Sequence, residues 1–324
     1  LCLLAGMLIL GHIAGSYELE AVLEGFSTLK REGVPVGVGT TVQIALVMKI
    51  GSLAETITVT GEAPVVNVTS SQVSTNYTKD WVEAAPVRRF SFFDLINAAP
   101  GVSQTTSTSS GTTNATSLGS SVNDNSYQID GTNLTAPGAG GGWAWPNTDA
   151  IQEIEVLQLG ASAEYGNVQG AVFNIVTRQG GNEFHGDANY YFMNDALTAR
   201  NTTDAQDKGK PYYRKDFKDT TFQLSGPFVR DRLWFFGSFQ YQNNADAQPG
   251  FGPALAVASY AKRVFYKLTY NITPMHRLMY GYHDDYWGLP PTQTSPLISA
   301  TTLTKSHGDN PTPNLVYTGR SEEH

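Results

Sequence analysis

The sequence has little charge, almost no cysteine and no long apolar run. A single cysteine, Cys2, stands among 324 residues, so no internal disulfide can form and the redox compartment is left open. Charged residues make up 15% of the chain, below the roughly 25% of soluble globular domains. No stretch reaches the about 18 apolar residues that a membrane-spanning helix needs. A transmembrane β-barrel fits such a composition, because its strands hide their apolar residues by alternation.

The few charges are mostly acidic. Lys and Arg number 21 against 29 Asp and Glu, which gives a formal net charge of −8. A nucleic-acid-binding protein needs a basic face, so the composition argues against a nucleic-acid partner. No Ser/His/Asp or Cys/His set with a recognisable local signature appears, as a hydrolase would require. We therefore predict a protein that is not an enzyme and has no cofactor or metal.

The N-terminal part is typical of half a β-sandwich. Residues 1–14 are apolar but lack an initiator Met and a cationic start, so they are either a signal-peptide remnant or a buried strand of a truncated domain. From 16 to 50 apolar and polar residues alternate, with a second strand expected at 42–48. The stretch Gly33–Pro35 is expected to be a turn before that strand.

The range from 64 to 180 predicts a compact α+β domain. Thr78 is expected to cap a helix over 79–84, and 90–98 is expected to form a second helix. A tract rich in Ser, Thr, Asn and Gly at 103–121 is expected to be a loop. Strands are predicted at 127–130, 154–158 and 172–177.

Beyond residue 180 the sequence alternates apolar and polar residues in successive segments. Each segment has about ten residues, the length that crosses a bilayer at the tilt of barrel strands. The connections alternate between long and short, as do the external loops and periplasmic turns of outer-membrane barrels. The alternation assigns to the lipid side Tyr190, Phe192, Phe222, Phe235, Phe239, Tyr266 and Tyr270. It assigns to the opposite side Asp187, Gln223, Gln240 and Arg263.

These faces predict how substitutions behave in a complete barrel. Phe235→Arg, taken as a mid-strand change, is expected to cost about 2 to 4 kcal/mol at the bilayer midplane. The same change at Gln240 is expected to be mild, because that side chain would lie inside the barrel.

Several short motifs follow one another in the middle of the chain: Asn97–Val102, Gln128–Gly131, Ala150–Val156, Ser162–Gly166 and Asn174–Arg178. In order and spacing they resemble the plug domain of the TonB-dependent receptors of the bacterial outer membrane. Upstream, Glu55–Gly61 resembles the TonB box of that family. The alternating segment at 16–50 resembles the end of the carboxypeptidase-regulatory-like domain that precedes the plug in the Oar-like branch.

The resemblance implies a mixed fold: a partial β-sandwich, an α+β plug domain, and about the first five antiparallel strands of a transmembrane β-barrel. Barrels of this family have about 22 strands, so the resemblance implies a truncated wall and a fragment of the whole protein. The implied domains are a truncated carboxypeptidase-regulatory-like β-sandwich at 1–53, the TonB box and a linker at 54–70, the plug at 71–181, barrel strands at 182–318, and a polar, non-native tail at 319–324.

The same resemblance implies a receptor that binds a ligand at the cell surface and transports it into the periplasm. Its implied partners are the TonB energy-transducing protein, outer-membrane lipid and an unknown extracellular ligand, and its implied location is the outer membrane. Energy would be coupled through the box residues Glu55, Thr56, Ile57, Thr58, Val59 and Thr60. The alternative for these residues is a strand that belongs to the preceding β-domain.

Two further features leave alternatives open. The glycine run 138–142 lacks the Lys and Ser/Thr of a phosphate loop, so it is either a flexible loop or a ligand-contacting plug apex with Gly140, Trp143 and Trp145. The stretch 283–285 contains possible metal ligands, but alternation sends Asp284 to the other face and favours an ordinary strand end.

The alternative function from another class is a non-transporting extracellular β-rich adhesion or binding protein. Such a protein would explain the alternation of the strands but not the alternation of loop lengths.

Overall fold

A computed structural model describes most of the chain, in two compact units. The described residues are 15–22, 26–36, 44, 46, 56–60, 73–87, 89–106, 113–136, 140–161, 165–166, 168–199, 213–247, 256–273, 275–290 and 305–319. The first unit comprises Leu1–Pro86, Ile96–Gly141 and Gln152–Val176, and the second comprises Val87–Leu95, Gly142–Ile151 and Thr177–His324. The predictions for 1–14 and for 320–324 lie outside the described residues.

The first unit begins with a small sheet of three strands. They are β1 (Gly15–Ala21), β2 (Thr28–Val36) and β3 (Thr56–Thr60), in the order β1-β2-β3. Strands β1 and β2 pair antiparallel, whereas β2 and β3 pair parallel. Apart from Ile44 and Leu46, the strand predicted at 42–48 lies outside the described residues.

The predicted turn at Gly33–Pro35 is wrong, because these residues continue β2. The register between β1 and β2 shifts between Tyr17 and Leu19, and Gly33 has a φ of 72° beside that shift. A bulge needs one residue with unusual dihedral angles, and glycine adopts a positive φ without steric cost. The glycine therefore accommodates an irregularity within the strand instead of ending it.

A five-stranded sheet forms the centre of the rest of the first unit. Its order is β4-β9-β10-β7-β8, and β10 pairs parallel with β7. Rings of Tyr127 and Phe173 stack in its core at 5.1 Å, beside the fully buried Ile154. The strands are β4 (Val73–Thr78), β7 (Ser126–Ile129), β8 (Thr132–Asn133), β9 (Ile151–Leu159) and β10 (Val172–Thr177). The three strands predicted here are confirmed.

Two short helices lie in the range from 79 to 96. Helix α1 (Lys79–Ala84) is confirmed, and Thr78 stands at its N-cap position, but the Thr78 side chain makes no capping hydrogen bond, so that part of the prediction is wrong. Helix α2 (Phe92–Ile96) is shorter than the predicted 90–98. The Asp94 carboxylate accepts hydrogen bonds from the backbone N–H groups of Phe90 and Ser91, at 3.0 and 3.1 Å. Because these two amides are satisfied by a side chain, residues 90 and 91 form the entry to the helix and not its first turn.

The predicted loop at 103–121 is wrong in part. Strands β5 (Val102–Thr106) and β6 (Thr113–Ser117) pair as an antiparallel two-stranded sheet. The Ala115 N–H in β6 donates to the hydroxyl of Tyr127 at 3.0 Å. Backbone pairing needs no apolar alternation, and threonine favours strands by its branched Cβ, so a polar tract can form a hairpin without a hydrophobic signal.

A seven-stranded sheet in the second unit, here called the wall sheet, forms an antiparallel meander. It contains β11 (His185–Met193), β12 (Tyr213–Val229), β13 (Leu233–Ala247), β14 (Val257–Thr273), β15 (His276–Leu289), β16 (Ser306–Asp309) and β17 (Thr312–Gly319). Strands β11 to β15 pair in chain order, which confirms the predicted meander. Both β16 and β17 pair with β15 and add a sixth, interrupted strand.

Strands β12 to β15 are longer than predicted. They have 17, 15, 17 and 14 residues, against an expected length of about ten. Backbone pairing continues through polar residues such as Lys218 and Asn243, where the alternation of apolar residues has already ended. The connections 194–212, 230–232, 248–256, 274–275 and 290–305 alternate between long and short, as predicted.

The two faces of the wall sheet differ as the alternation predicts. On one side, called the exposed face, Tyr190, Phe192 and Phe222 are more than half accessible. On the other, called the packed face, Gln223 and Gln240 are buried. Strand register places Phe222 opposite Phe239 and Gln240 opposite Arg263, so the assignments hold across neighbouring strands. Among the described residues, no helix is long and apolar enough to cross a membrane.

Candidate functional site: a polar cluster on the packed face

The most concentrated polar chemistry in the second unit surrounds the carboxylate of Asp149. This residue follows Asn147, whose side chain accepts the Asp149 N–H at 3.1 Å in a short 3-10 turn. The carboxylate pairs with the guanidinium of Arg89 and is 4% exposed. It also accepts hydrogen bonds from the hydroxyls of Thr221 at 2.7 Å and Tyr191 at 3.2 Å.

A further donor completes this arrangement. The Asn189 amide lies 3.3 Å from the second carboxylate oxygen of Asp149. The guanidinium of Arg89 also lies over the ring of Tyr191, 5.1 Å from its centroid. A carboxylate with one cationic and three neutral donors is well satisfied although it is buried, so this cluster binds the turn at 148–150 to strands β11 and β12.

A second set of hydrogen bonds runs across strands β12 to β15. The Gln240 amide donates to both carboxylate oxygens of Asp219, at 3.0 and 2.8 Å. Arg263 donates to the Gln240 side-chain oxygen at 2.8 Å and to Asp285 at 3.0 Å. All four side chains are at most 5% exposed. Buried polar chains of this kind specify register, because a shifted strand would leave its members unpaired.

The segment 87–95 also contacts strand β13, through Gln242, which lies next to this second set of hydrogen bonds. The Gln242 amide donates to the Phe90 carbonyl at 3.2 Å. In the same unit, Phe92 and Phe93 pack against Trp145, with ring centroids 6.5 and 5.5 Å away. The segments 87–95 and 142–151 are therefore joined to each other by aromatic contacts as well as by the pair of Arg89 and Asp149.

The connector between β10 and β11 is fixed to the wall sheet by its own polar contacts. The buried ammonium of Lys267 donates to the Thr177 carbonyl at 3.1 Å. Arg178 donates to Gln223 at 3.0 Å and to Asp187 at 3.1 Å. These contacts reach strands β11, β12 and β14.

The following residues reach the two remaining strands of the meander. Arg277 in β15 donates to the Gln179 side chain at 2.9 Å. Gly180 lies so close to the Phe235 carbonyl in β13 that an added Cβ atom would overlap it. A larger residue at this position would therefore separate the connector from the sheet.

The candidate apex residues occupy three different environments. Gly140 has a φ of 69°, and its N–H donates to the Ala136 carbonyl at 3.2 Å. Trp145 is held in the aromatic cluster, and its indole N–H donates to the Gly142 carbonyl at 3.1 Å. Trp143 is 49% exposed. Of the two tryptophans, Trp143 is the more exposed and the better placed for a ligand contact. Residues 137–139 lie outside the described residues.

The candidate box residues Thr56–Thr60 form strand β3. All five pair parallel with β2, from Thr28 opposite Thr56 to Glu32 opposite Thr60. Glu55 lies outside the described residues. The segment is extended, as strand addition requires, and its pairing with β2 is also what the alternative assignment expects.

The sequence 283–285 does not gather metal ligands. His283 and Asp285 are buried on the packed face, whereas Asp284 points to the opposite side, as alternation predicts. Asp285 is bound to Arg263. Throughout the described part of the chain, no group of three or more His, Cys, Asp or Glu residues is arranged to hold a metal ion.

Sequence reasoning missed the central residues of this cluster, Asp149 and Arg89. Neither belongs to an alternating segment, and their separation of 60 positions gives no local pattern. The sequence offered one indication of such a pair. A charged residue that stands among apolar and aromatic neighbours, in a chain with few charges, is expected to be buried and to need a partner of opposite charge.

Comparison with known families gives two matches that follow each other along the chain. Residues 67–172 match the TonB-dependent Receptor Plug Domain, and residues 176–314 match an Outer membrane beta barrel domain. The boundary between the two matches falls within β10, directly before the connector described above.

Two curated relatives are similar in sequence. The TonB-dependent transporter Oar of Myxococcus xanthus is 25% identical over 239 residues, which are 69% of this chain and 22% of that protein. The ferrienterobactin receptor of Escherichia coli K12 is 35% identical over 88 residues, which are 27% of this chain and 10% of that protein. The chain thus spans less than a quarter of either relative.

Solved structures share the fold. The siderophore receptor PirA from Acinetobacter baumannii superposes with a TM-score of 0.58 at 20% identity, over 77% of this chain and 38% of that one. The outer membrane transporter YddB from Escherichia coli superposes with a TM-score of 0.55 at 15% identity, over 75% of this chain and 36% of that one.

Proposed function

Because the chain belongs to the TonB-dependent receptors of the bacterial outer membrane, we propose that the whole protein binds a ligand at the cell surface and carries it into the periplasm. One observation carries this proposal: the wall sheet exposes aromatic side chains on one face and buries polar side chains on the other. Segments from the plug-matching range cover that polar face. Such a sheet fits a lipid-facing wall with an occupied interior.

Aromatic clusters at the two ends of the wall sheet support the lipid contact. Near the short connections, Phe184 and Phe228 lie 6.3 and 4.7 Å from Phe235 between ring centroids. Near the long connections, Tyr260 and Tyr286 lie 6.0 Å apart. Aromatic side chains concentrate at both interfaces of outer-membrane barrels, so the region between these clusters is the part that spans the bilayer.

Energy coupling through the box residues is the second part of the proposal. An extended segment can add as a strand to the edge of a partner's sheet, with its backbone groups supplying the hydrogen bonds. Strand β3 is extended and lies upstream of the plug-matching range. A pull along such a ladder loads all its hydrogen bonds together, which suits the transfer of force from TonB to the plug.

Ligand contact at the plug is the third part. Trp143 offers an exposed indole face, and aromatic side chains are common in small-molecule sites. Some of the matched proteins are named as receptors for siderophores or ferric enterobactin, so ferric siderophores are the first ligands to test.

The coupling is tested by Ile57→Pro in the full-length receptor. Proline removes one backbone donor and fixes φ, so energy-dependent uptake should fail while surface binding of ligand survives. Ile57→Val is the matched control, because it keeps the amide and the branched Cβ. Unchanged uptake by the proline variant would refute the box assignment, and loss of both binding and uptake would favour the structural strand.

A further inference from the structure

Two arginines lie in the short connection between β12 and β13. Arg230 and Arg232 are both exposed, and Asp231 stands between them. Among the residues that the structure describes, neither arginine forms an ion pair, with Asp231 or with any other carboxylate. Exposed arginines are common and need no ligand, so the surroundings of this pair decide whether it is a site.

The backbone of this connection is held in a fixed shape. The Arg232 N–H donates to the Val229 carbonyl at 3.2 Å, and the Arg232 carbonyl accepts the Asn271 N–H at 2.9 Å. Asp231 has a φ of 61°, which aspartate tolerates better than most residues. The Asp231 N–H donates to the Asn182 side chain at 2.8 Å, and the Asp231 carboxylate accepts from it at 2.5 Å. The carboxylate is therefore engaged by the connector between β10 and β11 and not by the arginines.

Aromatic side chains border the two arginines on the exposed face of the wall sheet. The guanidinium of Arg232 lies over the ring of Tyr270, 5.8 Å from its centroid. Phe228, two residues before Arg230, packs against Phe235 with ring centroids 4.7 Å apart. Aromatic belts stand at the level of the lipid headgroups. A guanidinium that covers a ring with its flat side keeps its N–H groups, which lie in its plane, for a phosphate.

Strand geometry places both arginines in the headgroup layer. Arg232 is three residues from Phe235, which belongs to the aromatic cluster near the short connections. Three residues at about 3.4 Å each, on a strand tilted by about 40°, move the chain roughly 8 Å away from the apolar band. The headgroup region on each side of a bilayer is about 5 to 8 Å thick. The guanidinium groups therefore stand at the depth of the lipid phosphates.

We propose that Arg230 and Arg232 form a binding site for the headgroup phosphate of an anionic phospholipid, in the leaflet next to the short connections. Guanidinium groups bind phosphate oxygens through paired, charge-assisted hydrogen bonds. A zwitterionic phospholipid carries a cation beside its phosphate, so two arginines bind it less strongly than an anionic one. The site rests on the lipid contact that is part of the proposed function, but it does not depend on transport.

The test measures urea unfolding of the full-length receptor in two kinds of vesicle. One contains only phosphatidylcholine, and the other also contains phosphatidylglycerol, which is anionic. The ratio of the two unfolding equilibrium constants is called the phosphatidylglycerol effect. Replacing both arginines, by Arg230→Gln and Arg232→Gln, should reduce this effect roughly 30-fold, because each arginine near an anionic surface contributes about 1 kcal/mol. About 0.5 M NaCl should remove most of the effect from the unmodified receptor, because salt screens exposed charges.

Two further variants separate this site from a general effect of charge. Arg277→Gln is the matched control, because Arg277 follows the next short connection but donates to the Gln179 side chain. It should change stability equally in both vesicles and leave the phosphatidylglycerol effect unaltered. Tyr270→Leu keeps both arginines and removes the ring beneath Arg232, so it should reduce the phosphatidylglycerol effect by a smaller factor than the double replacement.

An unchanged phosphatidylglycerol effect in the double variant would overturn the site. If that variant does not fold, Arg232→Gln alone should lower the effect about fivefold while Arg232→Lys keeps most of it, and equal effects in these two would also overturn the site. Inorganic phosphate that stabilised the receptor in phosphatidylcholine vesicles as much as phosphatidylglycerol does would show a site for a free anion instead of a lipid. Uptake enters none of these measurements, so failure of this inference is separable from failure of the proposed transport.

Discussion

Arginine substitutions along the exposed face of β13 should show a profile that depends on depth. The structure corrects the expectation for Phe235, which is the third residue of β13 and lies in the aromatic cluster beside the short connection, not at mid-strand. Phe239 lies four residues further along, opposite Phe222 and Val264. The residue nearest the bilayer midplane is therefore Phe239.

The magnitude follows from strand geometry. Four residues at about 3.4 Å each, on a strand tilted by about 40°, raise Phe239 by roughly 10 Å above Phe235. The apolar band is about 25 Å tall, so this height is close to its middle. Phe239→Arg should cost about 2 to 4 kcal/mol, which is a change of roughly 30- to 700-fold in the folding equilibrium constant.

Asn243 supplies the matched control. It is polar already and stands on the same face roughly 20 Å above Phe235, near the outer limit of the band. Asn243→Arg should cost about 0 to 1 kcal/mol, with Phe235→Arg between the two. The assay is urea unfolding of the full-length receptor in phospholipid vesicles. Equal costs at Phe239 and Asn243 would refute the assignment of the exposed face to lipid.

Three further changes test other parts of the molecule. Trp143→Ala should weaken ligand binding, measured by titration, while changing the free energy of unfolding by less than about 0.5 kcal/mol. Trp145→Ala should lower the free energy of unfolding by about 3 kcal/mol, measured by urea unfolding, because its ring packs in the aromatic cluster. A disulfide between Leu29→Cys and Ile57→Cys, which are register partners, should block binding of the TonB periplasmic domain until it is reduced; binding by the oxidised form would show that β3 engages TonB without leaving its sheet. Burial raises the pKa of the Tyr127 hydroxyl, so the neutral side chain stabilises the folded plug fully below about pH 10, and this contribution is lost as the pH rises further. Tyr127→Phe should therefore reduce the loss of plug stability at alkaline pH, measured by unfolding after a pH jump.

The contacts of Gln240 raise the expected cost of Gln240→Arg above the mild effect predicted from its position inside the barrel. The alternation places Gln240 on the inside of the barrel, where the structure shows it 1% exposed and bonded to Asp219 and Arg263. An arginine there would overfill a closed site beside an existing guanidinium, at a cost of about 1 to 3 kcal/mol. Alternation correctly identified the face of Gln240, but it carries no information about what covers that face.

The sequence by itself determined the features that depend on neighbours along the chain. A period of two assigned Tyr190 and Phe222 to one face and Gln223 to the other, because successive side chains of any strand point to opposite sides. The spacing of alternating segments determined the order of long and short connections. Ordered motifs such as Ala150–Val156 were enough to indicate the family.

Only the tertiary structure decided the features that depend on partners distant in the chain. The parallel pairing of β3 with β2 and the pair of Arg89 with Asp149 each join segments that share no local pattern. Backbone pairing and charge pairing require a partner in space, and the free energy of each contact depends on burial that many segments create together. For that physical reason the face of Gln240 could be read from its neighbours in the chain, whereas its bonds to Asp219 and Arg263 could not.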